Sequence, residues 1–242
     1  MYLCLPNFIW ESVLGEFPSL LSLSEADPSI PLPAGNELAD VLSSPKYSEA
    51  ADAFRAGKVL IRASGKHVEP FFISAPKTTK RKPTHTNVEA DQFIEATRRK
   101  KFKRYPSRQK SVFCYVAPTS KITTFSKSIP RIYGNSHYLI FPPNGSSYFQ
   151  SKETNDFYTS QFYTDIENWV CAGSGSRFRT EAQKAAIAYW QSGINKLRAI
   201  KPGLIEVFFE AAGPYYAISL LALKRESGKG FDQYIDSIGK KA

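Results

Sequence analysis

The stretch LIEVFFEAAGPYYAISLLAL, residues 204–223, decides the fold class. It is aromatic and β-branched at its core, broken in the middle by Gly213-Pro214, and yet it carries Glu206 and Glu210 inside a run built for burial. A strand turns alternate side chains to opposite faces, so Ile205, Val207, Phe209 and Ala211 share one side, and Leu204, Glu206, Phe208 and Glu210 the other. One face reads as core and the other carries carboxylates. Two explanations stand: a half-solvated antiparallel strand, or a carboxylate held on a rigid element inside a cleft. The Gly-Pro break predicts that YYAISLLAL turns back as the antiparallel partner of the strand before it.

Working outward, KVLIRASG (58–65) is a short apolar run between glycines and reads as a buried strand. The polar SAPKTTKRKPTHTN that follows reads as a loop, and Thr86 with Glu89 has capping-box spacing for a helix over VEADQFIEATRRKKF. Strands are expected at KSVFCYVA (110–117) and HYLIFP (137–142), with SSYFQS adding a fourth. Thr180 with Gln183 marks the start of the longest helix, in which Ile187, Trp190, Ile194 and Leu197 recur at helical spacing until Pro202-Gly203. The tail GFDQYIDSIGKKA reads as a short amphipathic end.

Residues 1–57 read as a helical preface, interrupted by Pro28, Pro31 and Pro33, with a short helix opening at Ser44-Pro45 and stopping at Gly57. Strands and helices mix without strict alternation. That predicts an α+β fold with a mixed or antiparallel sheet over residues 58–242, behind an N-terminal helical extension.

With 242 residues, 42% of them hydrophobic, the chain is globular and long enough for a real core. A formal net charge of +10 points to an anionic partner, such as nucleic acid or a phosphorylated ligand. Cys4, Cys114 and Cys171 are odd in number and dispersed, which suits a reducing compartment, and no Cys or His pair has zinc spacing. No run is apolar enough to span a bilayer, and the N-terminal segment lacks a basic start, so a cytoplasmic protein without membrane association is expected. Neither a P-loop nor a G-x-G-x-x-G or G-x-S-x-G motif occurs, and GSGSRFR (173–179) is a phosphate-binding turn or a plain loop.

Three features carry chemistry. Arg62 follows Val59, Leu60 and Ile61 and precedes small residues, so it either ends a strand in solvent or meets an anion, on which a guanidinium forks as a lysine cannot. Ser111 opens the aromatic strand, with Phe113 and Tyr115 on its face as core residues or as platforms for a flat ring. The basic run Arg98, Arg99, Lys100 and Lys101, with Arg81 and Lys82 in the loop before it, is a solvated helix end or a polyanion-binding surface.

The order of Arg62 at a strand end, Ser111 with an aromatic two residues on, and Glu206 followed by Val207 resembles the Arg-Ser-Glu layout of mono-ADP-ribosyltransferases, including phage-encoded proteins of this type. The resemblance covers about residues 58–223. It implies NAD as cosubstrate, Arg62 on a phosphate or ribose, Ser111 bracing the glutamate, and Glu206 stabilising positive charge as the nicotinamide–ribose bond breaks. It implies Phe113 or Tyr133 over the nicotinamide, and a protein or nucleic acid as acceptor. Members that modify arginine commonly carry Gln or Glu two residues before the glutamate; here Leu204 stands there. The acceptor, plain NAD hydrolysis or a non-catalytic basic protein of structural or nucleic-acid-binding role all stay open at this point.

Overall fold

A computed structural model describes residues 34–64, 70–76, 87–130, 134–155, 157, 159–172, 176–227 and 230–241. Along the chain come α1 (Ala34–Ser43), α2 (Ser48–Arg55), β1 (Lys58–Ser64), β2 (Phe71–Ser74), α3 (Val88–Lys101), β3 (Val112–Pro118) and α4 (Ile122–Ser128). Then follow β4 (Ser136–Phe141), β5 (Ser147–Ser151), α5 (Gln161–Ala172), α6 (Ser176–Gln191), β6 (Gly193–Ile194), β7 (Gly203–Glu210), β8 (Tyr215–Ser219), α7 (Leu220–Ser227) and α8 (Phe231–Lys241). The protein is α+β, and its one eight-stranded sheet runs β2-β8-β4-β1-β3-β7-β5-β6 with every pairing antiparallel.

The expected hairpin of β7 with β8 does not form. β8 pairs with β4 and β2, and β7 with β3 and β5, so three strands lie between the two although only residues 211–214 join them. The sheet therefore curls: Phe209 at the end of β7 meets Tyr215 at the start of β8 edge-on, ring centroids 5.5 Å apart. Leu60, Val116, Ile140 and Ala217 lie side by side across β1, β3, β4 and β8, while Cys114, Val207 and Gln150 continue that face across β3, β7 and β5. All of these are buried.

The opposite face of β3, β7 and β5 is covered by helices. Phe208 and Phe149 lie fully buried there with Tyr189 and Trp190 of α6 and Ile94 of α3. Trp190 keeps its one polar atom satisfied by donating Nε1–H to the Ile94 carbonyl at 3.1 Å. Over Val207–Phe209 neither face of β7 is open, each residue being 0–1% exposed, whereas Leu204 before them is 42% exposed, so the half-solvated explanation fails for the second half of the strand. Helices α1 and α2 bury Leu38, Leu42, Ala51 and Phe54 in the same core as β1 and β4, so residues 34–57 are built into the domain that begins with β1.

Several boundaries differ from the sequence-based expectation. Asn87, not Thr86, caps α3, its side chain accepting from the amides of Glu89 and Ala90 at 2.9 and 3.4 Å. Thr180 lies inside α6, which starts at Ser176 and stops at Gln191, so Ile194 and Leu197 belong to β6 and a following 3₁₀ turn. Helices α4 and α5 were not expected, although α5 carries its signal in Phe162, Ile166, Trp169 and Val170 at helical spacing behind Ser160, whose hydroxyl accepts from the Tyr163 amide at 3.3 Å.

Candidate active site at a fork in the sheet

β1 and β3 share rungs only from Lys58↔Pro118 to Ile61↔Tyr115. Past that rung the shared ladder ends: Arg62, Ala63 and Ser64 stay paired to β4, and Val112, Phe113 and Cys114 to β7. The pairing forks there. At the same level β7 is irregular, because Cys114 faces Val207 but Val116 faces Gly203, so Leu204, Ile205 and Glu206 lie opposite Tyr115 alone. The displaced Glu206 amide donates instead to the Asn155 carbonyl at 2.7 Å. A bulge of this kind breaks the pairing and re-aims a side chain, and bulges concentrate beside functional sites.

Glu206 shares the face of Phe208 and Phe113 on the helix-covered side. One carboxylate oxygen, Oε1, accepts from Arg108 Nη1 at 3.0 Å, and the same nitrogen donates to the Tyr189 hydroxyl at 2.8 Å. Arg108 is 3% exposed and Glu206 20%. Four rings surround the guanidinium carbon, Phe157 at 4.6 Å, Phe208 at 5.0 Å, Phe113 at 5.1 Å and Tyr189 at 5.9 Å. Desolvated cations on aromatic faces gain about 2 kcal/mol or more from the ring quadrupole. Four residues further along the strand Glu210 accepts from the Ser107 amide at 3.0 Å. The two carboxylates of β7 thus grip consecutive residues of the segment that leads into β3.

The residues expected at the site fare differently. Arg62, Ser111 and Glu206 lie on β1, at the head of β3 and on β7, three consecutive strands. Arg62 stands one position past the last β1–β3 rung, level with Cys114 and Val207 and hence next to Glu206 in height, but on the opposite face. Its Nη1 donates to the Tyr215 hydroxyl at 3.4 Å.

Ser111 is fully buried. Continuing the register Val112↔Phe209 sets it opposite Glu210, four residues from Glu206, or roughly 13 Å along the strand. The neighbour that steadies Glu206 is therefore Arg108 and not Ser111. Phe113 is half-buried between Phe208, at 5.4 Å, and the Arg108 guanidinium, where it packs as a wall. Tyr133, Arg81 and Lys82 lie outside the described residues.

The basic run divides. Arg98 forks onto Glu95, with Nε and Nη2 each 3.0 Å or less from Oε1, and donates Nη1–H to the Tyr105 carbonyl at 2.8 Å, so it is a structural residue. Arg99, Lys100, Lys101, Lys103 and Arg104 are exposed, and form a cationic knob that continues into the Ser107–Arg108 segment. Among the described residues no cluster of His, Cys, Asp and Glu has the geometry of a metal site, and no helix is long and apolar enough to cross a membrane.

Arg108 escaped the sequence reading because it sits in the polar stretch YPSRQK, where no periodicity marks a buried position. Compared with protein-family models, curated proteins and solved structures, the chain matches none.

Proposed function

We propose that the protein is an NAD-dependent ADP-ribosyltransferase or NAD glycohydrolase whose charge-stabilising carboxylate is Glu206. The observation that carries this is the coincidence at Tyr115: the fork between β1 and β3 and the bulge of β7 meet at this one residue, with Glu206 in the bulge and Arg62 just past the fork. What supports the reading is that the β1–β3 ladder ends beside the bulge, so that Arg62 and Glu206 stand at adjacent heights in the sheet, within reach of a ligand as long as a dinucleotide.

In the proposed reaction the C1′–nitrogen bond to nicotinamide breaks and nicotinamide leaves with the electron pair. The ribosyl cation is then captured by water or by an acceptor nucleophile, which releases its proton. A fixed anion beside that carbon favours the oxocarbenium-like transition state over the ground state, as carboxylates do in glycoside cleavage. Arg62 would hold the pyrophosphate or a ribose by a forked hydrogen bond.

A second reading is favoured by one observation, the exposed knob Arg99, Lys100, Lys101, Lys103 and Arg104. It suits binding of a polyanion, either as the acceptor of the transfer or, without any catalysis, as the whole function. Incubation with NAD labelled in the adenylate separates the two: the enzymatic reading expects release of free nicotinamide, with label in ADP-ribose or on a macromolecule. Binding of nucleic acid with NAD left intact favours the second.

A further inference from the structure

We infer that Arg108 is the positioning residue of Glu206, fixing the direction and the charge of the carboxylate that the proposed reaction uses. The inference rests on that reading for its kinetic consequence but on contacts alone for its geometry. Arg108 Nη1 uses both of its N–H groups, one on Glu206 Oε1 at 3.0 Å and one on the Tyr189 hydroxyl at 2.8 Å. Tyr189 is 1% exposed in the last turn of α6, so the carboxylate is tied through one nitrogen to the helix layer behind the sheet. Phe113, Phe157, Phe208 and Tyr189 pack around the guanidinium with ring centroids 4.6–5.9 Å from its carbon.

A buried ion pair is a weak device for stability, since an apolar side chain of like volume often serves the fold as well. It is a strong device for holding a group in one place, because displacing either partner strands the other. Glu206 itself sits on an irregular piece of strand whose own pairing to β3 is broken. A carboxylate there needs an external tether to stay within the fraction of an ångström that differential stabilisation of a transition state requires. Arg108 supplies it, together with a positive charge 3.0 Å from Oε1.

The test compares the full chain with Arg108→Met, Arg108→Lys and Tyr189→Phe, following NAD cleavage and the carbon-13 shift of the Glu206 carboxyl as pH is varied. Arg108→Met should lower kcat about a hundredfold with KM for NAD within about threefold, the pattern of an interaction made mainly in the transition state. The midpoint of the Glu206 carboxyl titration should move upward in the same variant. Arg108→Lys, which keeps the charge and two donors, should recover kcat to within about tenfold and return the midpoint toward that of the parent. Tyr189→Phe removes only the steadying hydroxyl and should lower kcat about fivefold at unchanged KM.

Unchanged kcat in the Met variant, or a Lys variant as impaired as Met, overturns the inference. If the parent chain releases no nicotinamide, the proposed function fails and the titration decides alone: an upward midpoint in Arg108→Met and its recovery in Arg108→Lys support Arg108 as the tether, and identical midpoints in all three overturn it.

Discussion

Ile61 and Tyr115 face each other across the last rung that joins β1 to β3, and past them the sheet divides. Each strand keeps its other neighbour, β4 on one side and β7 on the other, so the division lies between two halves that are each well paired. The two halves are joined along β1 and β3 by the rungs from Lys58↔Pro118 to Ile61↔Tyr115. Arg62 heads one branch, and Tyr115 and the bulge with Glu206 lie at the root of the other.

For Arg62 the expectation is loss of affinity. Arg62→Ala should weaken NAD binding about ten- to a hundredfold, the size of a charge-assisted forked hydrogen bond, and Arg62→Lys should recover only part of it. Titration calorimetry with NAD reads both numbers. Equal affinity in all three proteins removes Arg62 from the site.

Two neighbouring arginines of α3 should behave in opposite ways. Glu95 is 4% exposed, and Arg98, at 13%, is the partner that forks onto it, so Arg98→Ala strands a buried carboxylate and should cost about 3 kcal/mol in urea unfolding. Arg99 is 59% exposed, and replacing Arg99, Lys100 and Lys101 together by Gln should change stability by less than about 0.5 kcal/mol. The triple variant should instead weaken binding to a single-stranded oligonucleotide and flatten its dependence on salt, measured by fluorescence anisotropy. An unaltered salt slope would show that the knob meets no polyanion.

Gly193 opens β6, where a Cβ would overlap the Phe149 ring and stand 3.1 Å from Tyr105. Phe149 is itself packed against Trp190, Tyr189 and Phe208, so it has nowhere to retreat. Gly193→Ala should therefore destabilise the fold by about 1–3 kcal/mol despite the smallness of the change. A midpoint of urea unfolding equal to the parent's contradicts this packing.

His137 predicts a pH effect. Burial, with the Lys224 ammonium nearby, holds its pKa below the usual 6.5. As pH falls through that usual value the unfolded chain takes up a proton that the folded chain does not, so this residue's contribution to stability declines until the lower folded value is passed, and is level below it. Urea unfolding at pH 7.5 and pH 5.5 should show a larger loss for the parent than for His137→Gln. Equal losses would mean that the imidazole is solvated when folded.

Much of this fold was legible in the chain and some of it was not, for physical reasons. Strands β1, β3, β4, β5 and β7 announce themselves through β-branched and aromatic runs bounded by glycine, proline or polar residues, and all five form. The partner of β8 was illegible because the strand is buried on both faces. A run such as YYAIS has no polar side to fix a register, and a turn of Gly213-Pro214 suits a hairpin as well as a crossing between halves of a curled sheet. The end of α6 was misread because Ile194 and Leu197 return to the core at helical spacing from β6 and a 3₁₀ turn.

At the site, Glu206 was legible as an anomaly, a carboxylate inside a run meant for burial. Its companion Arg108 was not, since the contact joins residues 98 positions apart and a loop arginine looks like any solvated cation. The separation of Ser111 from Glu206 was equally hidden, because spacing along a sequence says nothing about height across three strands.

The most direct measurement is nicotinamide release from NAD by the full chain beside its Glu206→Gln variant, with NAD affinity and unfolding midpoint recorded for both. Glu206→Gln keeps the shape and removes the charge, so release should fall at least about a hundredfold with NAD affinity close to the parent's, while the midpoint drops because the buried Arg108 loses its counter-charge. Equal rates in the two proteins, or no release by the parent with protein and nucleic-acid acceptors supplied, contradict the assignment of Glu206.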